Sequence, residues 1–200
     1  MDYNLNFTTE RLRIRMLKKT DYQEWKRAYL QVLKPKNKFD ESVIYEEDLT
    51  YPKFLNTVEK DMHSAKTGVT YNFTAFCNDS GEIRGDSQLW CVQRGECQRA
   101  TMGFNVLNNY WRLGYGYEIG KATIEYGIIQ MKLNRIEAEI LPDNHPSVGL
   151  CKKLGMSYEG IKREALYMNG KWQDHLFFAI TASDMGLSDR QPDLTFKSFI

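Results

Sequence analysis

Hydrophobic positions along this chain follow two kinds of spacing, and the spacing predicts both strands and helices. Leu12, Ile14 and Met16 alternate with polar positions, which is typical of a strand with one buried face. The residues between them are expected to form a solvated face, made by Arg11, Arg13 and Arg15. Apolar residues three and four apart predict helices that begin near Thr20, after Pro52, after the Gly114–Gly116 segment and at Asn144.

Local signals mark where these elements begin and end. Thr20 and Gln23 form a capping-box pattern at the start of the first helix, and Gly68 suits the end of the second. Gly155 closes the last predicted helix in the same way. Asn169-Gly170 is a strong hairpin signal, so the two final strands should pair with each other.

The middle of the chain combines hairpins with one strand–loop–helix–strand unit. Strands predicted over 71–77 and 83–92 flank an Asp-Ser-Gly turn. Strands predicted over 100–107 and 136–141 enclose a helix, so these two should lie parallel with a right-handed connection. The buried stripe of that helix is expected at Ile119, Ala122, Tyr126, Ile129 and Leu133. The sequence therefore predicts an α/β fold with a mixed, mostly antiparallel sheet.

Composition narrows the classes of function. The chain has 200 residues, enough for one domain with a sizeable core. A formal net charge of +1 argues against a broad nucleic-acid surface, and no apolar run is long enough to span a membrane. The N-terminal residues lack a signal-peptide pattern, and the four cysteines show neither metal-ligand nor disulfide spacing. We therefore expect a cytoplasmic protein without a structural metal.

The segment from Asn108 to Glu118 carries the most informative chemistry. It joins a predicted strand to a predicted helix and contains Gly114 and Gly116, where the backbone can turn tightly and approach a ligand. The start of the helix offers unpaired N–H groups and the positive end of the helix dipole to an anion. This pattern predicts a loop that binds the pyrophosphate of a cofactor.

Three cofactors compete for this loop. A nucleoside triphosphate is disfavoured because Gly116 is followed by Tyr117 and Glu118 rather than by Lys and Ser or Thr. A dinucleotide would need an acid roughly 20 residues further on, and Glu137 or Glu139 could supply it. The glycine spacing, however, departs from the dinucleotide fingerprint, and the surrounding hairpins are not repeated βαβ units. Coenzyme A is the third candidate.

A family resemblance favours coenzyme A. Residues 111–116 resemble the acetyl-CoA loop of the GNAT acetyltransferases, Gln/Arg-x-x-Gly-x-Gly/Ala. Residues 9–15, 144–147, 152–156 and 159–160 resemble the opening strand and the Asn-x-x-Ser … Lys-Leu-Gly-Phe … Glu-Gly signature of the RimJ/RimL-like branch. The resemblance implies one GNAT domain over 7–184, and a polar C-terminal tail is expected at 185–200.

The resemblance implies a sheet that splays between two parallel strands, here those predicted over 100–107 and 136–141, with acetyl-CoA in the cleft. Loop backbone would hold the pyrophosphate, through Trp111, Arg112, Leu113, Gly114, Tyr115, Gly116 and Tyr117. Backbone N–H groups near Asn105 and Val106 would polarise the thioester carbonyl. The implied reaction uses acetyl-CoA as co-substrate and no metal.

The last helix would supply further contacts to the cofactor. By the resemblance, Asn144 would bond the pantetheine arm, and it also suits a helix N-cap. Ser147 would protonate the leaving thiolate, since Cys151 stands where other members carry a tyrosine. Lys153 would approach the cofactor phosphates or lie in solvent. Glu139 occupies the position of a catalytic glutamate in a related enzyme and is the candidate general base.

The implied function is acetyl transfer to a primary amine by direct attack in a ternary complex. The amine must first lose a proton, and an α-amino group, with a pKa of about 7.7–8.0, loses it more readily than a lysine. The acceptor would be a protein N-terminus, a polyamine or another small amine. Acids between the first two helices suggest a cationic acceptor, although a solvated charged loop is the favoured explanation for them: Glu41, Glu46, Glu47 and Asp48.

Two other functions stay open from the sequence alone. One is a non-catalytic acyl-CoA-binding or regulatory module on the same fold. The other is a dinucleotide-dependent oxidoreductase. For partners we expect the amine acceptor and neither nucleic acid nor membrane, and a homodimer is compatible with these expectations.

Overall fold

A computed structural model of the chain describes residues 5–40, 45–187 and 191–192. The chain divides into two compact units. The first comprises the residues up to Gln88 together with Phe104–Thr123, and the second comprises Leu89–Gly103 together with the chain from Ile124 onward. Within the described ranges, no helix has the length and apolar character needed to cross a bilayer.

Secondary structure follows the predicted order closely. The strands β1 to β8 span Asn6–Thr8, Leu12–Arg15, Tyr71–Cys77, Ile83–Gln93, Arg99–Val106, Arg135–Ile140, Ser157–Met168 and Lys171–Thr181. The helices α1 to α4 span Tyr22–Leu30, Tyr51–Thr67, Tyr115–Glu125 and His145–Lys153. Short 3-10 turns lie at Lys19–Asp21, Glu46–Asp48, Asn108–Tyr110 and Ser183–Met185.

The first unit is built on the strand order β1-β2-β3-β4. Strand β2 is antiparallel to β1 and β3, with Ile14 opposite Phe7 on one side and Ala75 on the other. Leu12 and Ile14 are fully buried, as their alternation predicted, and they share this core with Phe73.

The second unit contains the parallel pair that the sequence predicted. Here the strand order is β4-β5-β6-β8-β7. Strand β5 runs parallel to β6 over three residue pairs, ending at Thr101↔Glu137, whereas β6 continues antiparallel beside β8 to Ile140. Strands β7 and β8 form the predicted hairpin around Asn169 and Gly170, whose φ values of 51° and 79° suit a tight hairpin turn.

The helix after the glycine loop departs from its predicted stripe. Helix α3 ends at Glu125, and one π-helical turn follows at Tyr126–Gln130. The extra residue per turn rotates the apolar positions, so Ile128 is fully buried whereas the predicted Ile129 is exposed. A repeat of three and four could not predict this insertion.

Two predictions near the N-terminus were wrong. Arg15 is buried rather than solvated, because its guanidinium forms two hydrogen bonds, of 2.6 and 2.9 Å, with the Asp21 carboxylate. The capping box is shifted from Thr20: the backbone N–H of Lys18 donates to the side chain of Asp21 at 2.7 Å. One carboxylate therefore satisfies both the buried arginine and the start of the helical segment.

Other boundaries agree with the sequence. Gly68 ends α2 with a φ of 75°, and Gly155 follows α4 with a φ of 82°. The predicted tail at 185–200 lies mostly outside the described residues, so that part of the domain prediction stays a prediction.

A close approach between β4 and β5 requires glycine at position 85. A Cβ atom on Gly85 would overlap the carbonyl oxygen of Asn105, which is backbone and cannot swing away. We expect Gly85→Ala to lower the free energy of unfolding by about 1–3 kcal/mol because the strands must move apart. Gly149→Ala is the matched control: nothing lies within 4 Å of its Cβ, so helix propensity should stabilise the protein by about 0.5–1 kcal/mol. Urea unfolding of both variants tests this, and equal effects would contradict it.

Candidate active site

The predicted phosphate loop lies in the first unit. The backbone N–H of Leu107 donates to the carbonyl of Arg84 at 3.0 Å just after β5 ends, and α3 begins at Tyr115. Arg112 and Gly114 have φ values of 64° and 86°. Left-handed residues of this kind turn successive N–H groups toward one side, which is how backbone forms a concave anion site.

The start of α3 is the chemically active part of this loop. Its first intrahelical bond runs from the N–H of Glu118 to the carbonyl of Gly114 at 3.2 Å. The N–H groups of Tyr115 and Gly116 precede it in the first turn of α3, where backbone N–H groups have no intrahelical acceptor. The helix dipole adds a partial positive charge at the same end. The loop can therefore bind an anion through backbone alone, without a lysine.

Glu118 fixes the orientation of this helix end. Its Oε1 accepts hydrogen bonds from Thr9 Oγ1 at 2.5 Å and from the backbone N–H of Arg11 at 3.1 Å. Its Oε2 accepts from Arg11 Nε at 2.7 Å, and the same guanidinium donates to the carbonyl of Leu113 at 3.1 Å. Burial acts to raise the pKa of Glu118, but the hydrogen bonds from Thr9 and Arg11 outweigh it and hold that pKa below its usual value. Residues of the turn between β1 and β2 thus clamp the loop.

Trp111 is tied to the strand that precedes it. The indole Nε1 donates to the carbonyl of Val106 at 2.6 Å, and the ammonium of Lys36 lies 5.3 Å from the ring centroid. The ring thus bridges the loop and the end of β5, which is a structural role. A contact between this side chain and a cofactor stays a prediction, as it does for the exposed Arg112.

Asn108 is an anchor that sequence reasoning missed. Its side chain accepts from the backbone N–H of Leu33 at 2.8 Å and donates to the carbonyl of Leu33 at 2.7 Å and to Asp40 at 3.0 Å. Lys36 Nζ donates to the Asn108 carbonyl at 2.9 Å. The segment after α1 is therefore bound to the start of the loop.

A charge-balanced network also supports the loop aromatics. The Arg84 guanidinium lies 4.1 Å from the ring centroid of Tyr110 and 5.8 Å from that of Tyr115. Glu82 pairs with Arg84 at 2.8 Å and with Arg27 at 3.0 Å. Hydrogen bonds from these two arginines lower the pKa of Glu82 to about 2, so it is ionised at neutral pH.

The second unit carries the predicted side chains of α4. Asn144 is the N-cap: its Oδ1 accepts from the backbone N–H of Ser147 at 3.4 Å. Ser147 is half-buried in the first turn, whereas Lys153 is exposed in the last turn. Because a nine-residue helix is about 13 Å long, α4 holds Asn144 and Ser147 together and Lys153 apart from them.

Cys151 does not replace the tyrosine of other members. It is fully buried, and burial raises the pKa of its thiol to about 11. A group in the core cannot reach a leaving thiolate, so Ser147 remains the candidate on this helix.

The two glutamates of β6 share one face but differ in their surroundings. Glu137 is buried, with Arg135 Nε 2.7 Å from its carboxylate. Glu139 keeps 28% of its side chain exposed. Its Oε1 accepts from Lys162 Nζ at 2.5 Å, and its Oε2 lies 3.7 Å from His175 Nδ1. Glu139 is therefore the glutamate of this face that a substrate can reach.

The acidic segment between the first two helices is largely paired with lysines. Glu46 pairs with Lys26 at 2.8 Å, and Asp48 pairs with Lys53 at 2.6 Å. These contacts favour a solvated charged segment over a site for a cationic acceptor. Glu41 lies outside the described residues. Among those residues, no three His, Cys, Asp or Glu side chains are grouped to hold a metal ion, and the absence of a metal stays a prediction.

Comparison with known proteins decides the family. The family model described as the acetyltransferase (GNAT) domain matches residues 11–157. The chain belongs to the GNAT acetyltransferase family. The probable N-acetyltransferase YjcK of Bacillus subtilis is 32% identical over 114 residues, which cover 57% of this chain and 63% of that protein. The [ribosomal protein uS5]-alanine N-acetyltransferase of Escherichia coli is 28% identical over 189 residues, or 90% of this chain and 92% of that enzyme.

A solved structure agrees with this assignment. Mycobacterium smegmatis RimJ in complex with CoA-disulfide matches with a TM-score of 0.72 at 22% identity, over 92% of this chain and 86% of that chain. This structure confirms the predicted fold, whereas the family model and the uS5-alanine N-acetyltransferase confirm the RimJ/RimL-like resemblance and the enzyme class. The protein is an acetyltransferase acting on an amine, and the dinucleotide and non-catalytic alternatives are set aside.

The clamp on Glu118 predicts a pH-dependent stability. A carboxyl whose pKa is depressed on folding stabilises the protein above its unfolded pKa, and this stabilisation disappears as the pH falls through the folded pKa. We expect Glu118→Gln to cost about 1–2 kcal/mol at pH 7 and much less near pH 3. Urea unfolding at both pH values measures this difference. Exposed Glu47→Gln is the control and should stay within about 0.5 kcal/mol of wild type; an equal loss for Glu118→Gln at both pH values would contradict the clamp.

Proposed function

We propose that this GNAT enzyme transfers the acetyl group of acetyl-CoA to the α-amino group of a protein or peptide. The observation that carries the cofactor part is the clamped start of α3, because the first-turn N–H groups and dipole of a helix suit a pyrophosphate. GNAT acetyltransferases use acetyl-CoA, and the RimJ structure contains a CoA derivative. The contacts of Trp111 to Tyr117 with the pyrophosphate are part of this proposal.

The geometry of Gly114 supports the fit of the cofactor. Its φ of 86° is one that L side chains rarely adopt, and a Cβ there would lie 3.4 Å from Arg11 Nη2. A bare backbone at this point lets a ligand approach closely. In the same proposal, the backbone N–H groups of Asn105 and Val106 polarise the thioester carbonyl.

Residues of the second unit complete the proposal. Asn144 would donate its amide N–H to the pantetheine arm while its oxygen caps α4. Ser147 would return a proton to the coenzyme A thiolate, and Glu139 would accept the proton that the attacking amine loses. Lys153 is kept as a candidate contact to the cofactor phosphates.

An α-amino acceptor is favoured over a lysine or a polyamine. The E. coli relative named as a uS5-alanine N-acetyltransferase covers 90% of this chain. An α-amino group is partly neutral near pH 7, with a pKa of about 7.7–8.0, so it demands less of the base. The paired acids Glu46 and Asp48 offer little free charge to a polyamine.

Three expectations about the whole protein are also part of this proposal: its domain extent, its location and its assembly. One GNAT domain would span 7–184, followed by the tail at 185–200. A cytoplasmic location accords with free thiols at Cys77, Cys97 and Cys151. A homodimer is the proposed assembly, with no nucleic-acid or membrane partner.

Substitution of a loop glycine should weaken acetyl-CoA binding selectively. Gly114→Ala forces a side chain into a left-handed position, and we expect calorimetric affinity for acetyl-CoA to fall about tenfold or more. Gly81→Ala is the matched control: it has a φ of 71° and open space around its Cβ. It should cost similar stability, about 1–2 kcal/mol, without changing affinity. Equal affinities for the two variants would refute the loop assignment.

Asn144 can be tested apart from its capping role. Asp is an equally good N-cap but has no amide N–H to donate. Asn144→Asp should therefore keep the thermal stability of α4, whereas its affinity for acetyl-CoA should fall about fivefold to tenfold. Wild-type affinity in this variant would show that Asn144 serves the helix alone.

The acceptor is tested by release of the coenzyme A thiol. A short peptide with a free N-terminal alanine, the same peptide N-terminally blocked with an internal lysine, and spermidine are compared as acceptors. We expect kcat/KM to be highest for the free N-terminus. A higher kcat/KM for spermidine would contradict a protein or peptide acceptor and favour a polyamine.

A further inference from the structure

His175 is a buried imidazole with unused hydrogen-bonding groups. It lies on β8, exposes 8% of its surface, and neither ring nitrogen has a hydrogen-bond partner among the described residues. Leaving buried polar atoms unpaired is costly, so such a group invites a functional explanation. Its Nδ1 lies 3.7 Å from Oε2 of Glu139, which is too far for a direct hydrogen bond and close enough for a small movement of either side chain to form one.

Glu139 and His175 lie on the same face of the sheet. Glu139 is opposite Phe177 on β8, and His175 is two residues from Phe177, so both point to the same side. Ile180 points to the other side, where it lies against Gly155 at the end of α4. His175 and Glu139 therefore lie on the face opposite the one where Ile180 packs near the end of α4.

Charged groups of β6, β7 and β8 lie near this pair, and those of β6 include Arg135, whose guanidinium lies 5.7 Å from the ring centroid of Phe177. From β6 the imidazole faces Glu139, and from β7 its register partner is Lys162, whose Nζ pairs with Glu139 at 2.5 Å and lies 4.0 Å from the ring centroid of Phe177. On β8 itself, Asp174 accepts from the backbone N–H of Glu164 at 2.8 Å.

The neighbouring glutamate gives an internal comparison. Glu137 lies 2.7 Å from Arg135 and 3.6 Å from Arg99. Guanidinium groups do not give up or take a proton in proteins, so neither of these two partners could accept a proton from Glu137. Glu139 has an imidazole beside it, and an imidazole can take a proton near neutral pH.

We propose that His175 is a positioning residue for acetyl transfer, which acts through Glu139 by taking up the proton that Glu139 receives. This inference rests on the proposed function of Glu139. The acceptor ammonium gives one proton to the Glu139 carboxylate, and this proton moves on to Nδ1 of His175. The neutral amine forms a C–N bond with the thioester carbon, the C–S bond breaks, and the thiolate takes a proton to become the free thiol. The proton that the thiolate takes is supplied through Ser147 from the nitrogen of the new amide, which keeps one proton. The imidazolium releases its proton to solvent, so each turnover yields one amide, one thiol and one proton.

The test compares four variants of the full chain: His175→Gln, Glu139→Gln, the double variant and His63→Gln. His63 is an exposed histidine of α2 and serves as the matched control. Thiol release is measured with the alanine peptide and with spermidine across pH 5.5–9 (about the range in which imidazoles and α-amino groups titrate). Acetyl-CoA affinity is measured by calorimetry to report on folding and cofactor binding.

We expect His175→Gln to lower kcat about tenfold or more while acetyl-CoA affinity stays within about twofold. The acidic limb of its kcat profile should move relative to wild type, which a packing role would not cause. The double variant should be no slower than Glu139→Gln, because His175 acts through Glu139. His175→Asn repeats the test with a smaller side chain in case the first variant does not fold.

Three results would overturn the inference. Wild-type kcat and pH profile in both His175 variants would leave the imidazole only a packing role. Independent, multiplicative losses in the double variant would exclude a route through Glu139. Absence of thiol release by the wild-type enzyme with either acceptor would instead reject the proposed function, and the inference would fall with it.

Discussion

Everything proposed for the cofactor depends on how the carboxylate of Glu118 is occupied. A first-turn glutamate is itself attracted by the positive end of its helix and could compete with an incoming phosphate. Here its two oxygens are consumed by Thr9 and by the backbone and guanidinium of Arg11. The Arg11–Glu118 pair carries no net charge, so it does not cancel the attraction of the start of α3 for an external anion. The same contacts hold the loop through the carbonyl of Leu113, which reduces the ordering that binding would otherwise require.

The sequence predicted the elements well because hydrophobic spacing and turn residues are local signals. The hairpin at Asn169-Gly170 and the parallel β5–β6 pair follow directly from such patterns. The wrong predictions share one cause. A contact or an inserted residue changed whether a position is buried or exposed. Arg15 lies at a polar position of the alternation, yet Asp21 makes its burial favourable. The π turn after Glu125 exchanges Ile129 for Ile128 in the core.

The site was predicted unevenly for a related reason. The phosphate loop can be recognised from its glycines and from the motif over 111–116. A loop that binds through backbone N–H groups is formed by consecutive residues, so its pattern is visible in the sequence. Its supports cannot be recognised in this way. Asn108 bonds to Leu33, 75 residues away, and Glu118 bonds to Thr9, 109 residues away. Residues so far apart in the chain have no characteristic spacing. A single sequence therefore does not show which of them form hydrogen bonds with each other.

The surroundings of β6 support the proposed preference for an N-terminal acceptor over a lysine. The Glu139 carboxylate already accepts a hydrogen bond from the Lys162 ammonium. A lysine acceptor would need about 3 kcal/mol more for deprotonation than an α-amino group, and one paired carboxylate is poorly equipped to supply it. An α-amino group is partly neutral before it binds. In the proposed mechanism, the fraction that binds as ammonium passes one proton to Glu139 and then to His175. No strong base is needed for this transfer.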